Sequence, residues 1–145
     1  MTRSRARPID VLLVEDNPGD VRLTREAFAA GGVRHTLHVT RDGAAAVDFL
    51  HRIAPFADAA QPDLILLDLN LPKKDGREVL QVIKQDDALQ HIPVVILTTS
   101  QAERDVLETY RLRANAYVTK PVVLEEFLRV IASIQDFWLD IVRLP

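Results

Sequence analysis

Two runs of this chain are apolar at every position. Residues 64 to 67 read Leu-Ile-Leu-Leu, and residues 94 to 97 read Val-Val-Ile-Leu. A strand with one solvated face alternates apolar and polar residues, whereas a strand covered on both faces stays apolar throughout. Strands of the second kind occur almost only in parallel sheets that carry helices on both sides. The two runs therefore predict the centre of a parallel sheet.

Shorter β-rich runs and amphipathic helices alternate around this centre. The five predicted strands are Ile9–Val14, Leu37–Val39, Leu64–Leu69, Val94–Thr98 and Ala116–Val118. Five groups of residues at helical spacing lie between or after them: Val21, Thr24 and Phe28; Ala46, Phe49, Leu50 and Ile53; Val79, Val82 and Ile83; Ala102, Val106, Thr109 and Tyr110; Leu124, Phe127, Leu128 and Ile131. Because parallel strands need crossover helices, this order predicts an α/β fold, a doubly wound five-stranded parallel sheet of (βα)5 type in three layers.

Size and composition limit the number of domains and the classes of function that this chain can have. With 145 residues and 48% hydrophobic composition, the chain has enough apolar material for one core, and the absence of cysteine excludes disulfides and thiolate metal sites. A net charge of −3 does not favour nucleic-acid binding. No run approaches the roughly 20 apolar residues of a membrane span, so we expect no membrane association and a cytoplasmic location. Residues 1–7, rich in arginine, are expected to form a flexible tail.

Polar residues collect where the predicted strands end. Glu15 and Asp16 follow the first strand, Asp68 lies at the end of the third, Thr98 ends the fourth and Lys120 follows the fifth. In doubly wound folds, the carboxyl ends of the strands form the ligand-binding edge. A cluster of three acids in a partly desolvated cleft would be repulsive without a cation. The sequence therefore predicts a metal site at this edge.

Oxygen-only ligands indicate a hard cation, and Mg²⁺ fits best because it accepts few carboxylates and bridges to phosphoryl oxygens. We assign Asp16 and Asp68 as direct ligands, Glu15 as a ligand acting at least partly through water, and the backbone carbonyl of Asn70 as a further oxygen. A nucleotide or flavin site is disfavoured, since the loop after the first strand is acidic and contains Pro18, which lacks an N–H.

Four sequence strings at these strand ends resemble the receiver domains of two-component response regulators. They are Leu13-Val14-Glu15-Asp16-Asn17, Leu67-Asp68-Leu69-Asn70-Leu71-Pro72 followed by Asp75-Gly76, Leu97-Thr98-Thr99-Ser100, and Tyr117-Val118-Thr119-Lys120-Pro121. The resemblance covers residues 8–134 and implies a flavodoxin-like sandwich.

The resemblance also implies a mechanism. Asp68 would accept a phosphoryl group from a sensor histidine kinase or a phosphotransfer protein, Lys120 would pair with the phosphoryl oxygens, and Thr98 would donate its hydroxyl to another. Tyr117 would change rotamer with Thr98 and alter the face formed by the fourth helix, fifth strand and fifth helix, although an ordinary half-buried sheet residue is the alternative. The family role is that of a signalling domain, which assists only its own phosphorylation and dephosphorylation.

A narrower resemblance concerns the C-terminal extension, residues 135–145. The segments 15–20 and 68–76, together with Phe137-Trp138, resemble stand-alone response regulators associated with bacterial and cyanobacterial phytochromes. This implies a bacteriophytochrome kinase as phosphoryl donor and a homodimer whose interface includes Phe137 and Trp138. An exposed aromatic segment of this kind is typical of a protein interface.

Two other functions compete with the phosphorylated receiver. A hydrolase with an aspartyl-phosphate intermediate would place a second acid two residues after Asp68, where this chain has Asn70. A degenerate receiver, acting as a phosphorylation-independent interaction module, would have lost an acid or the lysine. The acids and the lysine are all present here. Glu15, where the family often has aspartate, is the only departure from the family motif.

Overall fold

The structure, a computed structural model, describes residues 8–31, 34–98, 110–120 and 124–141. Its five strands are β1 (Ile9–Val14), β2 (His35–Thr40), β3 (Leu64–Leu67), β4 (Val94–Thr98) and β5 (Ala116–Thr119). They form one parallel sheet in the order β2-β1-β3-β4-β5. The chain reverses its direction of winding at β1, so the crevice beside β1 and β3 is the expected ligand site of the fold.

Three helices follow the first three strands: α1 (Pro18–Ala30), α2 (Gly43–Leu50) and α3 (Gly76–Gln85). Each helix is preceded by an N-cap residue whose side chain accepts a hydrogen bond from a backbone N–H of the first turn. These residues are Asn17, Asp42 and Asp75. The C-terminal helix spans Leu124–Ile141. The fourth predicted helix lies outside the described residues except for Tyr110, which is helical and half exposed.

The core consists of two apolar layers, one on each face of the sheet. Side chains of β1, β3 and β4 alternate between them, as the period of two along a strand requires. One layer packs against α2 and α3 and contains Leu12, Val14, Ile65 and Leu67, while the other packs against α1 and the C-terminal helix and contains Val11, Leu13, Leu64 and Leu66. The predicted doubly wound parallel sheet is therefore confirmed.

Several predicted boundaries are wrong. Strand β2 extends beyond the predicted Leu37–Val39 at both ends, and β5 extends one residue beyond the predicted Val118. Helix α2 and strand β3 are shorter than predicted. Helix α2 ends at Leu50, so Ile53 does not share its apolar stripe and is instead 51% exposed. Arg52 has a φ of 57°, a left-handed conformation that turns the chain away from the helix. Strand β3 ends at Leu67, one residue before Asp68, because Asp68 turns into the loop that leads to α3.

The C-terminal helix is continuous across residues 134 and 135, where we predicted the start of an extension. Gln135 is buried against the end of α1, where a Cβ on Gly31 would lie 1.9 Å from its Oε1 atom. Phe137 and Trp138 lie on this helix, but their side chains, like residues 1–7 and 142–145, are outside what the structure describes. Within the described ranges, no helix combines the length and the hydropathy that crossing a bilayer requires.

Candidate functional site

Hydrogen bonds that continue the sheet hold the predicted site residues in place. The backbone N–H of Glu15 donates to Thr40 at 3.0 Å, and that of Asp68 donates to Val14 at 3.1 Å. The backbone N–H of Lys120 donates to Thr98 at 2.7 Å. Each residue lies directly after its strand, so the sheet fixes its Cα and aims its side chain into the crevice.

Lys120 is the centre of the site. Its Nζ donates to Glu15 Oε1 at 2.5 Å, to Asp20 Oδ2 at 2.8 Å and to Asp68 Oδ2 at 3.2 Å. An ammonium has three N–H donors, and these three carboxylates occupy all of them. The side chains of Lys120, Glu15 and Asp68 are only 5%, 2% and 9% exposed. The site is therefore a nearly buried cluster with more negative than positive charge.

Burial and the neighbouring charges shift the pKa values of Glu15 and Lys120. Burial raises the pKa of Glu15 to about 7, from an ordinary value of 4.5, although the hydrogen bond and charge of Lys120 oppose the rise. Burial alone would lower the pKa of Lys120, but the hydrogen bonds that it donates to Asp20 and Glu15 and the charges of Glu15 and Asp68 hold this pKa above its ordinary value. One ammonium keeps its proton but cannot fully neutralise the acids around it.

Three of the acids form a candidate metal centre. Carboxylate oxygens of Glu15, Asp16 and Asp68 lie within 4.8 Å of one another. Glu15 and Asp68 are buried, whereas Asp16 is exposed and faces the solvent from which an ion would enter. Carboxylate oxygens are ligands for hard divalent cations, and such a cation would relieve the repulsion described above. The donor set therefore fits a divalent metal ion.

The loop after β3 fixes the orientation of Asp68. The backbone N–H of Asn70 donates to Asp68 Oδ1 at 3.3 Å, so Asn70 contacts this carboxylate through its main chain. Gly76 approaches the same loop closely, since a Cβ there would lie 2.2 Å from the carbonyl oxygen of Asp68. Asp75 caps α3 and forms a capping box with Glu78, so its carboxylate stabilises the start of this helix.

Thr98 and Tyr117, which the sequence predicts to change conformation together, lie on β4 and β5. Thr98 is fully buried at the end of β4 and is joined to Lys120 through the backbone. Tyr117 is half-buried on β5 and packs against the core layer that contacts α2 and α3.

Asp20 belongs to the site but was not predicted from the sequence. It lies in the first turn of α1, where an acid is normally explained by the helix dipole. The only sequence signal was its position four residues after Asp16, which is about one helical turn. Its contact with Lys120 joins residues 100 positions apart, and such a contact cannot be deduced from local spacing.

Comparison with known proteins agrees with this geometry. The family model of the response regulator receiver domain matches residues 11–132. Response regulator Rcp1 of Synechocystis sp. is 48% identical over 138 residues, which cover 95% of this chain and 94% of that protein.

Two crystal structures extend the comparison. The phosphorylated cyanobacterial phytochrome response regulator RcpA matches with a TM-score of 0.89 at 47% identity, covering 95% of this chain and 99% of that one. The Mn²⁺-bound form of Rcp1 gives a TM-score of 0.88 at 48% identity, with the same coverage of both chains. The predicted resemblance to phytochrome-associated response regulators is confirmed. This chain therefore belongs to the response regulator receiver family, whose general function is to be phosphorylated by a histidine kinase.

Proposed function

We propose that Asp68 is the residue that accepts the phosphoryl group, from a sensor histidine kinase or a phosphotransfer protein. One observation carries the proposal. Among the described residues, Asp68 is the only member of the three-carboxylate cluster that follows β3, the central strand of the sheet. Its Oδ2 also lies 3.2 Å from Lys120 Nζ. Its side chain is 9% exposed.

The proposed reaction is an in-line transfer between two side chains. A lone pair of an Asp68 carboxylate oxygen forms the new O–P bond while the P–N bond to the donor histidine breaks. The electron pair of the broken bond stays on the ring nitrogen, and the ring, protonated on its other nitrogen, leaves as neutral imidazole. Lys120 then donates to the oxygens of the bound phosphoryl group, and the Thr98 hydroxyl donates to another.

We assign Mg²⁺ as the metal, held by Glu15, Asp16, Asp68 and the backbone carbonyl of Asn70. When bound, it supplies positive charge that neutralises the phosphoryl oxygens during transfer. The acidic cluster supports this assignment, and the Mn²⁺-bound form of Rcp1 supports a divalent ion in a relative. The chain's own contribution is to hold the carboxylates together and to keep Lys120 charged beside them.

We propose further that the domain signals and does not turn over substrates. Asn70 stands two residues after Asp68, where an aspartyl-phosphate hydrolase would carry a second acid. Arrival of the phosphoryl group would shift the population of Thr98 and Tyr117 conformers and so alter the face formed by the fourth helix, the fifth strand and the C-terminal helix. The donor is proposed to be a phytochrome-type histidine kinase in the cytoplasm, as the names of the relatives suggest.

Intact mass spectrometry tests the phosphoacceptor. After incubation with phosphoramidate and Mg²⁺, we expect a gain of one phosphoryl group that disappears when Mg²⁺ is withheld and in Asp68→Asn. A wild-type protein that gains no phosphate would instead support a degenerate receiver. Continuous release of phosphate at many turnovers per protein would support the hydrolase.

We also propose that the domain forms a homodimer through a face that includes Phe137 and Trp138. Changing both residues to alanine removes the two largest apolar side chains of the segment, and we expect a monomer by light scattering. The matched control changes Glu125 and Glu126, exposed at the other end of the same helix, to alanine and should leave the dimer intact. A double variant of Phe137 and Trp138 that remains dimeric at micromolar concentration would contradict the proposed interface.

A further inference from the structure

The ammonium of Lys120 is shared unequally among its three carboxylates. The distance from Nζ is 2.5 Å to Glu15 and 2.8 Å to Asp20, but 3.2 Å to Asp68. Charge-assisted N–H···O bonds are normally 2.7–2.9 Å long, so the contact with Asp68 is the weak one of the three. Lys120 is thus held mainly by Glu15 and Asp20.

We propose that Asp20 is a positioning residue that draws Lys120 away from the attacking oxygen of Asp68. This inference rests on the proposed role of Asp68 as phosphoacceptor. A carboxylate oxygen that donates its lone pair fully to an ammonium is a poorer nucleophile, because that lone pair must be released before it can bond to phosphorus. Asp20 accepts an N–H of its own from the lysine at 2.8 Å and holds the ammonium on its side, so the contact with Asp68 Oδ2 stays long at 3.2 Å.

The backbone of Asp20 is fixed for this task. Its N–H donates to the Oδ1 of the helix-capping Asn17 at 3.1 Å, and its carbonyl accepts from the hydroxyl of the buried Thr24 at 2.8 Å. The side chain is 27% exposed, and its Oδ2 lies 2.8 Å from Lys120 Nζ. Because its backbone is held on both sides, Asp20 presents its carboxylate to the lysine from a fixed Cα position.

Asp20 also differs from the other acids that touch Lys120. Glu15 and Asp68 both belong to the three-carboxylate cluster, and Asp20 does not, among the residues the structure describes. If a cation binds to the cluster, Glu15 has to contact both the cation and Lys120. Asp20 can continue to hold Lys120 without competing for the metal ion.

Substitution of Asp20 by asparagine keeps the size of the side chain and removes its charge. Lys120 should then move towards Asp68, so the maximal rate of phosphorylation should fall about tenfold. The phosphoramidate concentration at half-maximal rate should change little, because Asp20 does not contact the donor. Asp20→Glu restores the charge and should recover most of the rate.

The test measures phosphorylation by phosphoramidate with intact mass spectrometry, in which the P–N bond breaks and the nitrogen leaves as ammonia after taking up a proton. Wild type, Asp20→Asn, Asp20→Glu and Glu26→Gln are compared at saturating Mg²⁺. Glu26 is the matched control, since it lies on α1, pairs with Arg22 on the surface and loses the same charge. Calorimetric titration gives the Mg²⁺ affinity of each variant, and thermal unfolding establishes that each is folded.

Two further readouts separate positioning from a merely structural effect. In the metal-free crystal structure of Asp20→Asn, the distance from Lys120 Nζ to Asp68 should be shorter than 3.2 Å. The Mg²⁺ affinity should change little, because Asp20 is outside the three-carboxylate cluster, whereas losing a residue that supports a metal site reduces affinity about 10-fold or more.

The inference is overturned if Asp20→Asn reacts as fast as Glu26→Gln, or if its slower rate follows entirely from weaker Mg²⁺ binding. These outcomes leave the phosphoacceptor proposal intact, because wild type still reacts. A wild-type protein that gains no phosphate overturns both proposals at once.

Discussion

The two ends of the sheet both carry acidic residues, but the hydrogen-bond partners of these acids differ. At the amino end, the backbone N–H of Asp10 donates to Asp63 Oδ2 at 2.8 Å, and His38 Nε2 lies 2.9 Å from Asp10 Oδ1. At the carboxyl end, Glu15, Asp20 and Asp68 share the ammonium of Lys120. Each acid at the amino end has its own hydrogen-bond partner. At the carboxyl end, three acids share one ammonium.

The difference separates acids that stabilise the fold from the acids of the candidate site. An acid paired with a backbone N–H or an imidazole fixes the chain locally and needs no ligand. Acids that outnumber the cations around them, in a buried crevice, repel one another and are ready to accept a metal ion. Charge balance at each end, and not the presence of carboxylates as such, distinguishes the two sites.

The largest effect should come from removing the shared cation. Lys120→Ala leaves the carboxylates without their ammonium, and the rate of phosphorylation by phosphoramidate should fall about 100-fold or more. Mg²⁺ affinity should be retained or increased, because the metal ion no longer competes with Lys120 for Glu15 and Asp68. Stopped reactions analysed by intact mass give the rate, and calorimetry gives the affinity. A near wild-type rate in this variant would show that the shared ammonium is dispensable.

A smaller effect should follow from pH. The pKa of Glu15 is about 7 in the metal-free fold and 4.5 as an ordinary value, so between these values the folded state holds a proton that the unfolded state has lost. Stability of the metal-free protein should therefore fall as pH rises through this window. Mg²⁺ needs the ionised carboxylate, so its affinity should rise by up to about tenfold per pH unit below 7 and level off above.

Calorimetric titrations at about pH 6, 7 and 8 measure this dependence, with Glu15→Gln as the control. The variant cannot ionise at position 15, so its affinity should be lower and nearly independent of pH. An equally steep pH dependence in Glu15→Gln would assign the proton to another group.

The smallest effect should come from the amino end of the sheet. Asp63→Asn weakens the hydrogen bond to the Asp10 backbone and should reduce the free energy of unfolding by about 1 kcal/mol. Phosphorylation and Mg²⁺ affinity should not change, since these residues lie at the edge opposite the carboxylate cluster. Urea unfolding and the mass assay measure the two quantities on the same sample. A change in phosphorylation would mean that the two ends are coupled through β1 or β3.

Much of this molecule follows from its sequence because parallel topology constrains it strongly. Continuous apolar runs predicted the buried strands, and the bounds of β1 and β4 agree with the prediction at both ends. Residues placed directly after strands meet at one edge in any such sheet, so Glu15, Asp68 and Lys120 were predicted together. Strand topology, and not the individual residues, made the site predictable.

The missed features depend on geometry that local patterns do not encode. Asp20 fits the first turn of a helix whether or not a lysine lies above it, so its spacing carries no information about Lys120. Ile53 matched the helical period, yet the left-handed Arg52 ended the helix without a glycine to signal the turn. In both cases, tertiary context decided between two locally acceptable readings.

The contacts of Lys120 also have a consequence for folding. They connect residues 105, 100 and 52 positions apart, and β5, which delivers the lysine, is the last strand in the sequence and lies at the edge of the sheet. Contacts between such distant parts of a chain form late, because the entropy of closing long loops is lost before they are made. A chain that has assembled only its first four strands carries the acids but no ammonium among them. The three ion pairs of Lys120 thus form only when the fifth strand completes the sheet.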